Sequence, residues 1–152
     1  MTLAIGCDHG GFELKEELLS LLRELNIDLI DYGTDSQKSV DYPDFGKKVS
    51  EAVSSGSSDK GILICGTGIG MSIVANRFPK VRASLCNDLF TAKMSRLHND
   101  ANILVLGGRV IGKGLAKEIV KIWLSTPFEG ERHSARLNKI IQIEESICKH
   151  VV

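Results

Sequence analysis

The chain has 152 residues, with 19 Lys+Arg against 19 Asp+Glu, 43% apolar, 25% charged and 5% aromatic residues. That profile fits a single soluble domain over 1–152, long enough to bury roughly 70% of its unfolded surface with no disulfide or metal to hold it. A formal net charge of zero argues against a nucleic-acid binder that works by neutralising phosphates, and no apolar run approaches the roughly 20 residues of a membrane span.

The opening Met-Thr-Leu-Ala-Ile-Gly has neither the basic nor the apolar segment of a targeting peptide, so a cytoplasmic location is expected. Cys7, Cys65, Cys86 and Cys148 are too widely spaced for a disulfide scaffold or a CxxC metal site, and reduced thiols are expected. His9, His98, His133 and His150 lack HExxH or His-x3-5-His spacing, so no metal and no cofactor is expected, although ligands distant in sequence are free to converge in a fold.

Apolar runs alternate with stretches of helical period along the whole chain. A first strand, Leu3 to Cys7, leads to a helix with Leu14, Leu18, Leu22 and Leu25 on one face and Glu13, Lys15, Glu16 and Glu17 mostly off it. A second strand, Asp28 to Asp31, ends at a turn bearing Gly33, and Asp41, Tyr42 and Pro43 open the next helix with a capping Asp and an early Pro. That helix stops near Ser54 to Gly56. The third strand, Gly61 to Cys65, is apolar on both faces, as a central parallel strand should be. It runs into Gly66, Gly68 and Gly70 and another helix. A fourth strand, Arg82 to Cys86, precedes a helix from about Asp88 to His98, and a fifth, Ile103 to Leu106, precedes a helix from about Gly112 to Ser125. A last helix spans about Ser134 to Lys149.

Repeated βα units with right-handed crossovers imply an α/β/α three-layer sandwich on a Rossmann-like five-stranded parallel sheet. Ligands in such sheets bind beyond the strand C-termini, where strand order reverses. The loops there carry Asp8-His9-Gly10-Gly11 and Cys65-Gly66-Thr67-Gly68-Ile69-Gly70.

In the second loop a thiol sits directly before a glycine-rich turn into a helix, whose free N–H groups favour negative charge beside the sulfur. The same letters also describe a small buried residue followed by a packing turn. A P-loop would need Gly-Lys-Ser/Thr where Gly70-Met71-Ser72 stands; a dinucleotide fingerprint or a cysteine phosphatase loop would need glycine or arginine at Met71. Asp8 and His9 should face the same crevice and bind sugar hydroxyls or move protons; the plainer alternative has Asp8 capping a helix. His98-Asn99-Asp100 is a polar cluster that equally suits a turn. Arg109 follows strand five. Arg132 and Arg136, four apart on one helix face, suit a phosphate clamp or simply solvated charge beside Glu129 and Glu131. Met71, Met94 and Trp123, like Cys7, Cys86 and Cys148, read as packing.

Taken together, Gly-Cys-Asp-His-Gly-Gly, Asp-Tyr-Pro-Asp-Phe at 41–45, Gly-Ile-Leu-Ile-Cys-Gly-Thr-Gly-Ile-Gly, Ser-Arg-Leu-His-Asn-Asp-Ala-Asn and Gly-Gly-Arg-Val-Ile-Gly resemble the type B ribose-5-phosphate isomerases and their galactose-6-phosphate and allose-6-phosphate isomerase relatives, over residues 1–145. The resemblance implies a metal-free aldose–ketose isomerase of the non-oxidative pentose phosphate pathway. It would interconvert D-ribose 5-phosphate and D-ribulose 5-phosphate through a cis-enediolate, as a dimer or tetramer with sites between subunits and the last helix contributing to the oligomer. Cys65 then matches the base that moves a proton between C1 and C2. Gly66, Gly68, Ile69 and Gly70 match the hole for the enediolate oxygen, and Asn99 an enediolate contact. Thr67 and His98 match the groups assisting ring opening, and Asp8 and Tyr42 the sugar contacts. His9, Arg109, Arg132 and Arg136 match the phosphate clamp, part of it supplied by a neighbouring chain. Many relatives have Gly-Gly-Arg-His where this chain has Gly130-Glu131-Arg132-His133, so the extra carboxylate is expected to alter that loop or weaken the clamp. A six-carbon 6-phosphate substrate and a phosphosugar-binding module without turnover remain the alternatives.

Overall fold

The five apolar runs pair in parallel into one sheet, in the order β2-β1-β3-β5-β4, in a computed structural model that describes residues 1–149. The strands are β1 (Thr2–Cys7), β2 (Asp28–Asp31), β3 (Lys60–Cys65), β4 (Ala83–Leu85) and β5 (Ile103–Gly107). The helices are α1 (Phe12–Glu24), α2 (Tyr42–Ser55), α3 (Ile69–Ala75), α4 (Leu89–Leu97), α5 (Lys113–Ser125) and α6 (Arg132–Lys149). His150 and the side chain of Cys148 lie outside the described residues.

Each expected element is present, with ends displaced by a residue or two where frayed turns and ladder edges meet. Two helical layers cover the sheet. On one face Leu14, Leu18 and Leu22 of α1 and Ile119, Val120 and Trp123 of α5 pack on Leu3, Ile5, Ile62 and Leu104, each fully buried Leu or Ile worth about 1.5–3 kcal/mol. On the other, Val49 and Val53 of α2 and Met71 and Ala75 of α3 pack on Ala4, Leu63, Ile103 and Val105.

Three local expectations are corrected. Leu25 is not on the buried stripe: α1 ends at Glu24, and Leu25, its C-cap, is 43% exposed. Lys15 is not a solvated charge but is buried, its Nζ donating to Asp31 Oδ2 at 2.8 Å and to the Thr34 carbonyl at 2.9 Å, which ties α1 to the end of β2. Asp41 stands at the N-cap of α2 without a side-chain cap bond; its backbone carbonyl accepts the Asp44 amide instead.

Strand order reverses between β1 and β3, so the crevice at a topological switch point opens between the loops that follow them. Those loops carry Asp8 to Gly11 and Gly66 to Gly68.

Candidate active site

Cys65 is the last residue of β3, paired with Gly107 at the end of β5 and only 5% exposed. The chain leaves the strand through Gly68 at φ 80°, the left-handed region where a side chain is strained. A Cβ there would also fall 2.5 Å from Leu85 Cδ1. This turn aims the Gly68 amide back at the thiol, and it donates to Cys65 Sγ at 3.1 Å. Thr67, exposed on the same turn, accepts the Ile69 amide at 3.3 Å through Oγ1. Tyr42 opens α2 and lays its ring on Gly70, so close that a Cβ on Gly70 would sit 2.7 Å from the ring.

The loop after β1 closes on the same point. A Cβ on Gly10 would lie 2.9 Å from the Gly66 nitrogen, so the two loops touch backbone to backbone. Asp8 is buried and its Oδ1 accepts the amides of Gly10 at 2.9 Å and Gly11 at 3.1 Å. Asp8 therefore does brace the helix entry, and its Oδ2 has no partner among the described residues. His9 Nδ1 accepts the Val40 amide at 3.2 Å, which leaves Nε2 as the donor of a neutral ring. His9 and Arg109 share a cleft of about 260 Å³ with Gly10, Gly108 and Glu13, whose Oε1 accepts from Gln37 at 2.7 Å.

The remaining candidates lie at the opposite end of the sheet. His98 caps the C-terminus of α4, which runs back from the C-terminal end of β4. The turn that follows docks on the strand starts: the Asn102 amide reaches the Arg82 carbonyl at 3.0 Å, and the Gly61 amide reaches the Asn102 carbonyl at 2.9 Å. From Gly61 to Cys65 is four strand steps, on the order of 13 Å. Within one chain, His98, Asn99, Arg132 and Arg136 thus form no common site with Cys65.

They form a cluster of their own. His98 and His133 stack with ring centroids 4.2 Å apart and planes within 11°. Glu129 Oε2 lies 3.2 Å from His133 Nε2 and 3.8 Å from His98 Nε2, and Arg132 Nε donates to His133 Nε2 at 3.4 Å. Burial first, then the neighbouring His98 and Arg132, holds the His133 imidazole below its ordinary range. Asp100 fixes the turn, pairing with Arg82 at 2.9 Å and with the buried Arg96 at 2.8 Å, while Arg96 also donates to the Ala101 carbonyl at 2.6 Å. Glu129, His133 as partner of His98, and the Arg82–Asp100–Arg96 brace escape a sequence reading. Their only traces are the four-residue spacings Arg96–Asp100 and Glu129–His133.

The two thiols that end neighbouring strands differ in kind. Cys7 faces the apolar layer under α1, where burial pushes its pKa up to about 12 and keeps it a neutral thiol. Cys65, on the other face, receives an amide hydrogen.

A family described as Ribose/Galactose Isomerase matches residues 3–140. The chain is 48% identical to ribose-5-phosphate isomerase B of Escherichia coli, covering 94% of this chain and 96% of that one. It is 55% identical to the putative sugar phosphate isomerase YwlF of Bacillus subtilis, covering 95% and 98%. The solved ribose-5-phosphate isomerase B of Clostridium thermocellum superposes with a TM-score of 0.95 at 53% identity, covering 97% and 99%. No helix among the described residues is long and apolar enough to cross a membrane. With this sheet order, this cysteine-glycine loop and these matches over nearly its whole length, the chain belongs to the ribose/galactose isomerase family of sugar-phosphate isomerases.

Proposed function

We propose that the chain interconverts D-ribose 5-phosphate and D-ribulose 5-phosphate through a cis-enediolate, with Cys65 as the base that carries the proton. The observation behind this reading is the Cys65 sulfur held 3.1 Å from the Gly68 amide, in a loop backed by Asp8 and flanked by His9 and Arg109. From the open-chain aldose, the sulfur takes the C2 proton as the C1 carbonyl oxygen gains charge; the oxygens exchange a proton and the sulfur returns its own to C1. Each step moves a proton and an electron pair within the sugar, so no external oxidant or reductant is required and no cofactor is proposed. The amides of Gly66 and Gly70, joined by those of Gly68 and Ile69 as they turn from Cys65 Sγ and Thr67 Oγ1, would meet the oxyanion, a preorganised donor in comparable sites being worth about 3–4 kcal/mol. Asp8 Oδ2 and the Tyr42 hydroxyl would hold sugar hydroxyls. His9 and Arg109 would take the phosphate, whose binding energy orients carbons it does not touch.

The complete site would require two chains. His98 and Thr67 would open the ring, with Asn99 touching the enediolate and Arg132 and Arg136 closing on the phosphate. Of these, only Thr67 shares an end of the sheet with Cys65. A two-fold dimer, alone or paired into a tetramer, would bring the His98 end of one chain over the Cys65 end of the other. The exposed apolar side chains support such an assembly: Ile69, Ile73 and Phe90 around the Cys65 end, and Ile140, Ile141 and Ile143 on α6. These last line a groove of about 590 Å³ with Asn99 at its edge.

The test is ketose formation by the purified protein, with kcat/KM compared for the 5-phosphate of ribose and the 6-phosphates of allose and galactose. Ribose 5-phosphate preferred, with activity unchanged in excess chelator, is the expected result. Preference for a 6-phosphate would move the assignment within the family. Binding of ribose 5-phosphate with no ketose formed would overturn the catalytic reading.

A further inference from the structure

His98 and His133 present their Nε2 atoms to one and the same oxygen of Glu129, at 3.8 and 3.2 Å. All three donor atoms lie within 4.8 Å of one another. From this geometry we propose that His98, Glu129 and His133 form a binding site for a divalent transition metal of the zinc class, and that filling it withdraws His98 from the sugar and inhibits the enzyme. The inhibitory half rests on the ring-opening role proposed for His98; the binding half does not.

Two imidazole nitrogens and a carboxylate oxygen are the donor set of open zinc sites, with metal–ligand distances of about 2.0–2.2 Å. At tetrahedral angles such ligands lie roughly 3.4 Å apart. The His133–Glu129 pair, at 3.2 Å, already has that spacing, and His98 must approach the shared oxygen by only a few tenths of an ångström from 3.8 Å. In the single chain the side chains of His98 and Glu129 are 37% and 48% exposed while His133 at 3% gives the site a fixed wall; in the dimer proposed above, the ion would enter by the path the sugar takes to His98. Water would complete the coordination.

Two features of the metal-free cluster have to yield. The Arg132 Nε–H must leave His133 Nε2, a long contact at 3.4 Å from an otherwise exposed side chain. The two rings, now within 11° of parallel, must splay so that both lone pairs converge, and the half-exposed His98 is the one free to turn. The remaining charged neighbour, Arg136 on the same helix, raises the local positive potential, so the carboxylate of Glu129 is what makes a dication tolerable here. That singles out Glu129 as the decisive test position, and nothing places it on the substrate.

The experiment titrates Zn²⁺ into the full-length protein against a chromophoric chelator, with Co²⁺ as a spectroscopic substitute, and follows isomerase turnover over the same range. One ion per chain is expected, with visible Co²⁺ bands of a four-coordinate site and turnover that falls with occupancy and returns with EDTA. Glu129→Gln, which keeps the shape and removes the charge, and His133→Asn should each weaken binding by at least the roughly 10- to 100-fold that loss of an outer-shell partner costs, and Glu129→Gln should shift the inhibition curve by the same factor. Binding undiminished in both variants, or no binding at millimolar Zn²⁺, overturns the site. Weakened binding with unchanged inhibition in Glu129→Gln places the inhibition elsewhere and overturns the second half. Tight binding with turnover untouched keeps the site and overturns the role of His98 in ring opening. A metal-free protein that forms no ketose overturns the isomerase reading and leaves the binding result standing.

Discussion

The two ends of the parallel sheet are built on different principles. At the strand C-termini the groups are placed by backbone: Gly10 against Gly66, Gly68 turned left-handed and Gly70 under Tyr42. At the strand N-termini they are placed by side chains, with two arginines on Asp100 and two stacked imidazoles on Glu129. The first arrangement makes concave, amide-lined space for developing negative charge. The second makes a cationic surface with Arg132 and Arg136 exposed. Each has the character the other lacks, and on the proposed reading an assembly of two chains would complete the site.

The sharpest way to break this comparison is at the sulfur. Cys65→Ala removes the proposed base and should lower kcat by about 10²- to 10⁴-fold with KM little changed, as expected for a group acting on the proton in flight. Chain mixing tests the division itself. Cys65→Ala and His98→Asn homo-oligomers should both be impaired, but after reversible unfolding and reassembly of equal amounts, activity should recover to roughly a quarter of wild type. Half the pairs are then mixed, and each mixed pair holds one intact site of two. No recovery would show that His98 and Cys65 serve from the same chain, whereas a His98→Asn oligomer with undiminished activity would show that His98 does not serve at all.

These two ends were unequally legible in the sequence, and the reason is physical. Close backbone approach selects glycine, so Gly10, Gly68 and Gly70 mark the C-terminal end in the letters themselves, and the strand order then brings Asp8 and Cys65 together. A side-chain cluster selects no local pattern. His98 stands on α4 while Glu129 and His133 flank the start of α6, so the spacing of histidines says nothing of their stacking. Lys15 stands off the leucine stripe and is of a residue type seldom buried; only the Asp31 carboxylate and Thr34 carbonyl, distant in sequence, make its burial tolerable. Which end of the sheet His98 occupies follows from the direction of α4, which periodicity does not report.

Phosphate binding sharpens the comparison next, because the clamp would draw on both ends. Arg109→Ala and Arg136→Ala each remove a charge-assisted contact worth about 1.5–3 kcal/mol. KM should therefore rise by roughly 10- to 100-fold with kcat less affected. An unchanged KM in Arg136→Ala alone would detach the N-terminal end from the substrate.

A smaller effect belongs to pH. The native imidazole of His133 binds its proton less readily than the unfolded one, whose ordinary value is 6.5. The unfolded state therefore takes up more protons as pH falls below that value, and stability should fall with it. It should be fully present above about pH 7, and His133→Asn should flatten the acid limb measured by urea denaturation. A slope of the opposite sign would mean that Glu129 holds His133 protonated in the native state.

The smallest effect concerns the loop that launches α6. Gly130 and Glu131 are both left-handed, at φ 74° and 47°, and Glu131 is therefore a side chain where glycine costs nothing in strain. It makes no ion pair with Arg132 or Arg136 among the described residues, so its carboxylate does not occupy the clamp. The presence of Glu131 should thus cost backbone strain rather than ligand affinity: about 1–2 kcal/mol for a non-glycine in this conformation, reduced by the roughly 0.5–1 kcal/mol that glycine's freer unfolded chain takes back. Glu131→Gly should raise stability by up to about 1 kcal/mol, a Tm gain of roughly 2–4 °C for a chain of this size, with KM for ribose 5-phosphate unchanged. A fall in KM would instead show that the carboxylate competes with phosphate for Arg132, and that the N-terminal end is tuned by charge as well as by shape.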